Sequence, residues 1–198
     1  MPNGYAHLNL RWNPFSEPLP EDRLALVVGD VSSMASTLST GRVCIQLMGD
    51  HGRGKTSRLL ALKRTLGAPY VRLRDSHHIP AAPVVLLDEG ELLWRRPWWR
   101  LRRCGAAAVS THRDLSVMMR ALGFSVVTRS VRGLSLDGLV AMVDHRLRWA
   151  QREEGPVPGV PLRTLRALLA TYGDDVRTIE DVLYDRFAQL EEIGDVEV

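Results

Sequence analysis

The residues best suited to chemistry lie in one short stretch, GDHGRGKT, from Gly49 to Thr56. It fits the pattern G-x-x-x-x-G-K-[ST], with Ser57 directly after it. Glycines at positions 49, 52 and 54 let the backbone curl, so that the N–H groups of the intervening Asp50, His51 and Arg53 and of the following helix start face an anionic phosphate. Lys55 is expected to reach the β and γ phosphates of a nucleotide, and Thr56 to hold Mg²⁺. Among 26 basic residues only Lys55 and Lys63 are lysines, and one of the two stands in this loop.

A second group follows some 30 residues on, where VVLLDE (84–89) ends in Asp88 and Glu89. At the C-terminal end of a buried parallel strand, Asp88 can hold the Mg²⁺ through water, and Glu89 can orient and deprotonate an attacking water. The run AAAVSTH (106–112) brings Ser110, Thr111 and His112 to the same edge, with Thr111 expected to sense the γ phosphate or position water. His77 and His78 have no ligand partners at metal spacing, which argues against a metal site there.

These groups need a sheet edge to gather on, and the pattern of apolar residues supplies one. From Arg42 to Arg132 short β-rich runs alternate with helical ones: VCIQLMG (43–49), YVRLR (70–74), VVLLDE (84–89), AAAVSTH (106–112) and FSVVTRSV (124–131). Such alternation predicts a parallel sheet covered by helices. The loop falls between the first run and the helical pattern TSRLLALKRTL, which stops at Gly67. Upstream, Leu24, Val27, Val28, Val31, Met34 and Leu38 predict a helix within Glu21–Leu38. From Ser135 onward three helices are expected, the first with Leu136, Leu139, Val140, Val143, Leu147 and Ala150 on one face. GPVPGVP (155–161) separates it from a second helix ending at Gly173, and a third starts near Asp174 or Asp175. The expected organisation is an α/β nucleotide-binding domain over residues 1–133 and an all-α lid over 134–198. DSHHIPAAP (75–83) is short for a parallel crossover, so either an extended loop crosses there or the edge strand runs antiparallel.

Composition sets outer bounds. With 198 residues, 45% hydrophobic and 25% charged, the chain can build a core, and no apolar run nears the 18 or so residues of a membrane helix. The start MPNGYAHLNLRW lacks the pattern of a secretory signal, so Cys44 and Cys104 are expected to be reduced thiols in the cytoplasm. A net charge of +3 makes no case for nucleic acid until the charge is known to gather on one face.

The loop, the acidic pair and the polar strand end, in this order, resemble the AAA+ family of P-loop ATPases, in particular transposon helper and replication-initiator types. The resemblance implies a parallel sheet with flanking helices and a small helical lid, ATP and Mg²⁺ as cofactors, and a homo-oligomeric ring or filament. GDDVRTIEDVL (173–183) resembles the sensor-2 motif of the lid, which implies that Arg177 reaches the nucleotide's phosphates. RWNPF (11–15) resembles the segment preceding the core, which implies Asn13 and Phe15 near the adenine; a plain N-terminal turn is an equal alternative. Arg120 best matches the arginine finger a neighbouring subunit would supply, with Arg113 second. The inserts that thread substrates in unfoldases are absent, and the lid is one helix short of the usual four.

WRRPWWRLRRC (94–104) packs three tryptophans and five arginines into eleven residues just after the acidic pair. The composition suits nucleic acid, through stacking and phosphate contacts, and equally a protein interface; a partly buried helix with solvated arginines is the third reading. The resulting expectation is an ATPase whose ATP-dependent oligomerisation regulates a DNA-associated process. The alternative is a nucleotide-dependent switch in a defence, signalling or secretion complex, with a protein partner and no DNA. A small-molecule kinase fits poorly, since nothing resembling an acceptor lid interrupts the sheet runs.

Overall fold

Five strands, all parallel, form the sheet of the computed structural model: β1 (Val43–Met48), β2 (Tyr70–Arg72), β3 (Val84–Asp88), β4 (Ala106–Thr111) and β5 (Ser125–Ser130). The structure describes residues 4–18, 22, 31–131, 135–173 and 175–198. Spatial order is β2-β3-β4-β1-β5. β4 is buried along its whole length and β1 along all but its last residue, as expected of apolar runs covered on both faces. Register brings the strand ends together: Met48 lies opposite Thr111 and Ser130, and Arg72 opposite Asp88.

Helices α1 (Ser32–Leu38), α2 (Lys55–Leu66) and α3 (Ser116–Ala121) belong to the same unit as the sheet. α2 ends at Gly67, which adopts a left-handed conformation and donates its N–H to Lys63 O, the glycine stop foreseen from the sequence. Of the helix expected within Glu21–Leu38, the described part is α1; Leu24, Val27 and Val28 lie outside the described residues.

The short connection after β2 is settled by the register of β2 on β3, which is parallel. Residues 76–83 therefore cross as a loop without helix. Leu73 and Ile79 bury into the sheet's core, and Gly105 N and Ala106 N donate to Ala82 O (3.1 Å) and Pro83 O (2.7 Å). Backbone pairing with the start of β4 stands in for the packing a crossover helix would give.

The second unit is all helical: α4 (Leu136–Ala150), α5 (Leu162–Tyr172) and α6 (Val176–Ala188). Ser135 caps α4 by accepting from Gly138 N, and Asp175 caps α6 by accepting from Thr178 N. Their apolar faces close on Leu139, Val143, Leu147, Leu165, Leu168, Ile179, Leu183 and Phe187.

Here the sequence-based assignment of the N-terminal segment to the α/β domain requires a correction, while the boundary near residue 133 stands. The N-terminal segment packs into the helical unit, because Leu8, Leu10 and Phe15 belong to the same buried cluster as those helices. Backbone bonds tie it there, with Arg11 N to Ala150 O at 2.8 Å and Arg152 N to Asn9 O at 2.9 Å. Among the described residues no helix is long and apolar enough to cross a membrane.

Candidate functional site: a phosphate loop and its acidic partner

The loop leaves β1 at Gly49 and enters α2 at Lys55. Gly49 passes so close to the end of β5 that a Cβ would come within 2.5 Å of Val131 O. Gly52 and Gly54 have φ of 75° and 79°, a left-handed backbone that disfavours any side chain. The motif's glycines thus answer two needs, close approach at 49 and curvature at 52 and 54.

Lys55 is buried, and its Nζ donates to Gly49 O (2.6 Å) and Asp50 O (2.7 Å), so the ammonium spans the mouth of the loop. Burial lowers its pKa, opposed by the charges of Glu91, Asp88 and Asp50 in that order. Next to it, Thr56 Oγ1 donates to Asp88 Oδ2 at 2.8 Å. A hydroxyl and a carboxylate at this spacing form a hard-oxygen pair of the kind Mg²⁺ prefers.

Asp88 is buried at the end of β3 and accepts four hydrogen bonds. Thr56 Oγ1 and the Tyr70 hydroxyl (2.7 Å) share Oδ2, while Ser110 Oγ and Glu89 N (3.1 Å) donate to Oδ1. Burial, followed by the Asp88 charge, pushes the Tyr70 hydroxyl far up, which keeps it a donor. Tyr70 is absent from the sequence-based site, and Ser110 appears there only as a polar strand end. The spacing does hold a signal: in YVRLR, Tyr70, Arg72 and Arg74 recur every second residue.

Arg72 and Arg74 decide the position of Glu89. Its backbone is left-handed, with φ of 61°, and its N–H also donates to Ser110 Oγ at 3.0 Å. Arg72 Nε (3.1 Å) and Nη2 (3.0 Å) donate to Oε1, and Arg74 Nε (3.0 Å) donates to Oε2. The carboxylate expected to act as base is therefore held by two arginines at the sheet's outer edge.

At the end of β4, Thr111 Oγ1 accepts from Arg113 N (3.0 Å) and donates to Arg113 O (2.8 Å), so its hydroxyl is spent on a local turn. His112 is the strand-end group that borders the loop. Its ring stacks on His51 at 4.0 Å between centroids, and burial, Lys55 and His51 lower its pKa. The turn carrying it is anchored from behind by Gln46, buried in β1, which accepts from Leu115 N (2.6 Å) and donates to Asp114 (3.0 Å).

The remaining predicted residues are divided between the loop and other parts of the chain. Asp50 and His51 are in the loop, and Ser57 is exposed in the first turn of α2. Arg53, also in the loop, accepts through its carbonyl from Arg58 Nη1 at 3.2 Å. Arg120 is exposed on α3, and Arg177 is exposed in the first turn of α6. Asn13 is buried in the helical unit, where Nδ2 donates to Tyr184 O (2.9 Å) and Oδ1 accepts from Phe15 N (3.0 Å). Phe15 packs on Phe187 at 5.2 Å. The structure gives both a packing role in that unit.

The tryptophan-arginine segment forms two 3₁₀ helices, Gly90–Arg95 and Trp98–Arg103, pinned by the fully buried Leu93 and Leu101. His77 and His78 are taken up here, hydrogen-bonded to Arg96 and Arg100. Trp94 and Trp99 project outward, 59% and 58% exposed, and the Arg95 guanidinium sits 4.4 Å over the Trp94 ring.

A five-stranded parallel sheet with a glycine-rich loop between β1 and a helix, facing an aspartate at the end of β3 one strand further across β4, defines a P-loop nucleotide-binding fold. Within that class the arrangement is the AAA+ fold. A solved DNA replication initiation factor matches it with a TM-score of 0.51 at 16% identity, over 87% of this chain and 63% of that one. The Aeropyrum pernix Orc1 protein in complex with DNA matches with a TM-score of 0.52 at 17% identity, over 97% of this chain and 66% of that one. The chain thus spans under two thirds of the length of either. No protein-family model and no curated protein matches the sequence.

Proposed function

We propose that this chain is a small cytoplasmic AAA+ ATPase that binds and hydrolyses ATP with Mg²⁺ and works through nucleotide-dependent self-assembly in a DNA-associated process. The observation that carries the nucleotide reading is the pairing of Thr56 with Asp88 beside a lysine-bearing glycine loop, a donor set whose use in P-loop enzymes is to hold Mg²⁺ and the phosphates. Bound there, Mg²⁺ would neutralise charge on the phosphates, with Thr56 and Asp88 as its protein-side oxygens. Lys55 would exchange its loop carbonyls for phosphate oxygens, which form stronger, charge-assisted bonds.

Support for DNA comes from the surface and from the fold. Arg95, Arg100, Arg102 and Arg103 form no ion pair with a carboxylate among the described residues, and they share the segment with two exposed indoles, Arg95 lying over one of them, a pairing suited to phosphates and bases. The Orc1 structure that shares the fold is a complex with DNA. One titration series tests both parts. The parent should bind Mg-ATP, and Lys55→Ala should weaken it by about 100-fold or more by calorimetry. Single-stranded DNA affinity should rise with ATP and fall steeply with salt, by roughly 0.7 in slope per phosphate contact. Replacing Arg100, Arg102 and Arg103 by alanine should flatten that slope. Full DNA affinity with lost oligomerisation in this variant would identify the segment as a protein interface, and a parent without DNA affinity would favour the switch without DNA.

A further inference from the structure

Asp88 accepts more than the loop motif asks of it. Its Oδ2 takes the Thr56 hydroxyl (2.8 Å) and the Tyr70 hydroxyl (2.7 Å), and its Oδ1 takes Ser110 Oγ and Glu89 N (3.1 Å). An ionised carboxylate has about four acceptor sites, so these donors fill it. Thr56 belongs to the cation site itself, while Ser110 and Glu89 N tie down the other oxygen. Tyr70 is thus the donor from outside the motif that closes Oδ2.

Register explains why a tyrosine does this. Tyr70 lies opposite Leu86, two residues before Asp88, and parallel pairing puts all three on one face of the sheet. Two residues along a strand is about 6.6 Å, a span that a phenol bridges and a serine or threonine at position 70 would not. The tyrosine is half-buried, and its hydroxyl ends on a carboxylate that is itself buried.

We propose that Tyr70 determines the cation specificity of this site, favouring Mg²⁺ over Ca²⁺ by closing Asp88 to direct coordination. This rests on the ATPase reading above. Ca²⁺ takes about six to eight oxygens, often both oxygens of one carboxylate, whereas Mg²⁺ keeps several of its waters. To use Oδ2 directly, a cation must displace Tyr70 or Thr56; to use both oxygens, it must also displace Ser110 or Glu89 N. A cation that relies on its own waters loses least by that closure. Tyr70 acts on the cation only through Asp88, as the outer-shell partners of metal ligands do.

The test compares ATP affinity of the full chain by calorimetry in excess Mg²⁺, in excess Ca²⁺ and in EDTA. The parent should bind Mg-ATP more tightly than Ca-ATP. Tyr70→Phe, which removes only the hydroxyl, should cut that preference by about tenfold, the scale of an outer-shell change, through tighter binding of Ca-ATP. Its affinity in EDTA should stay within about threefold of the parent, which a merely structural role would not allow. A preference changed by less than about threefold would overturn the proposal. So would a preference lost because Mg-ATP alone weakens, since Tyr70 would then only support Mg²⁺, or a parent that binds Ca-ATP as tightly as Mg-ATP. If Tyr70→Phe does not fold, Ser110→Ala, which opens Oδ1, should cut the preference in the same way, and an unchanged preference there overturns the proposal. A parent that binds ATP in none of the three buffers would instead sink the ATPase reading.

Discussion

Asp88 and Asp114 show how side chains of one type are put to different tasks by their partners. Asp88 is buried under four donors, three hydroxyls and one backbone amide, each of which would lose a partner if the carboxylate were removed. Asp114 is exposed, and it organises the turn behind His112 by accepting from Ser116 N (2.8 Å) and Gln46 Nε2 (3.0 Å). Those bonds, Ser116 first, hold its carboxyl down to about 2 from an ordinary 3.8. A carboxylate depressed in the folded state adds stability above its ordinary pKa, and this is lost as pH falls through the folded value. Asp114→Ala should therefore melt below the parent at pH 7, and the gap should close between about pH 4 and pH 2. Melting curves across that range check this; a gap that persists at pH 2 would assign the effect to something other than the charge.

At the scale of elements, the segment from β3 to β4 places both the acidic pair and the aromatic surface. The 3₁₀ helices there hold by buried anchors, Leu93 and Leu101, rather than by helix propensity, since Pro97 and the tryptophans are poor helix formers. Gly90 is the tight point of the segment. Gly90→Ala must push Val109 or the Ser110 backbone, and backbone cannot yield as a flexible side chain does. The expected loss is about 1–3 kcal/mol in urea unfolding, the ordinary penalty for overpacking. Because the same shift would move Ser110, whose hydroxyl donates to Asp88, turnover should fall together with stability. A variant as stable as the parent would show that this approach is looser than its geometry implies.

Over the whole molecule, the chain divides into a sheet unit carrying the loop and a helical unit that includes its own N-terminal segment. Lys55 and Arg120 both belong to the sheet unit, the one buried at the loop and the other exposed on α3. If Arg120 completes a neighbour's site, Lys55→Ala and Arg120→Ala proteins should each be inactive alone. Mixed, they should recover part of the parent's turnover, since some interfaces then join an intact loop to an intact arginine. Light scattering should show a larger particle with ATP than without. Turnover per subunit that does not vary with protein concentration, together with a monomer in ATP, would remove the assembly from the proposal.

The phosphate loop, the five strand runs and the three C-terminal helices were all legible in the sequence, because each depends on local features: glycine spacing, apolar period and caps at Ser135 and Gly173. The order of the strands and the parallel path of the short connection were not, since register depends on which edges meet. Nor was the place of the N-terminal segment, because Leu8, Leu10 and Phe15 declare that they will be buried without naming the core that buries them. The same holds at the site. A DE pair after a strand marks where carboxylates gather, but only the packed chain shows Tyr70 and Ser110 bound to Asp88 and Glu89 held by Arg72 and Arg74. Spacing along a chain determines which groups can share an edge. Which of them meet is decided by contacts between distant residues, and these exist only once the sheet has closed.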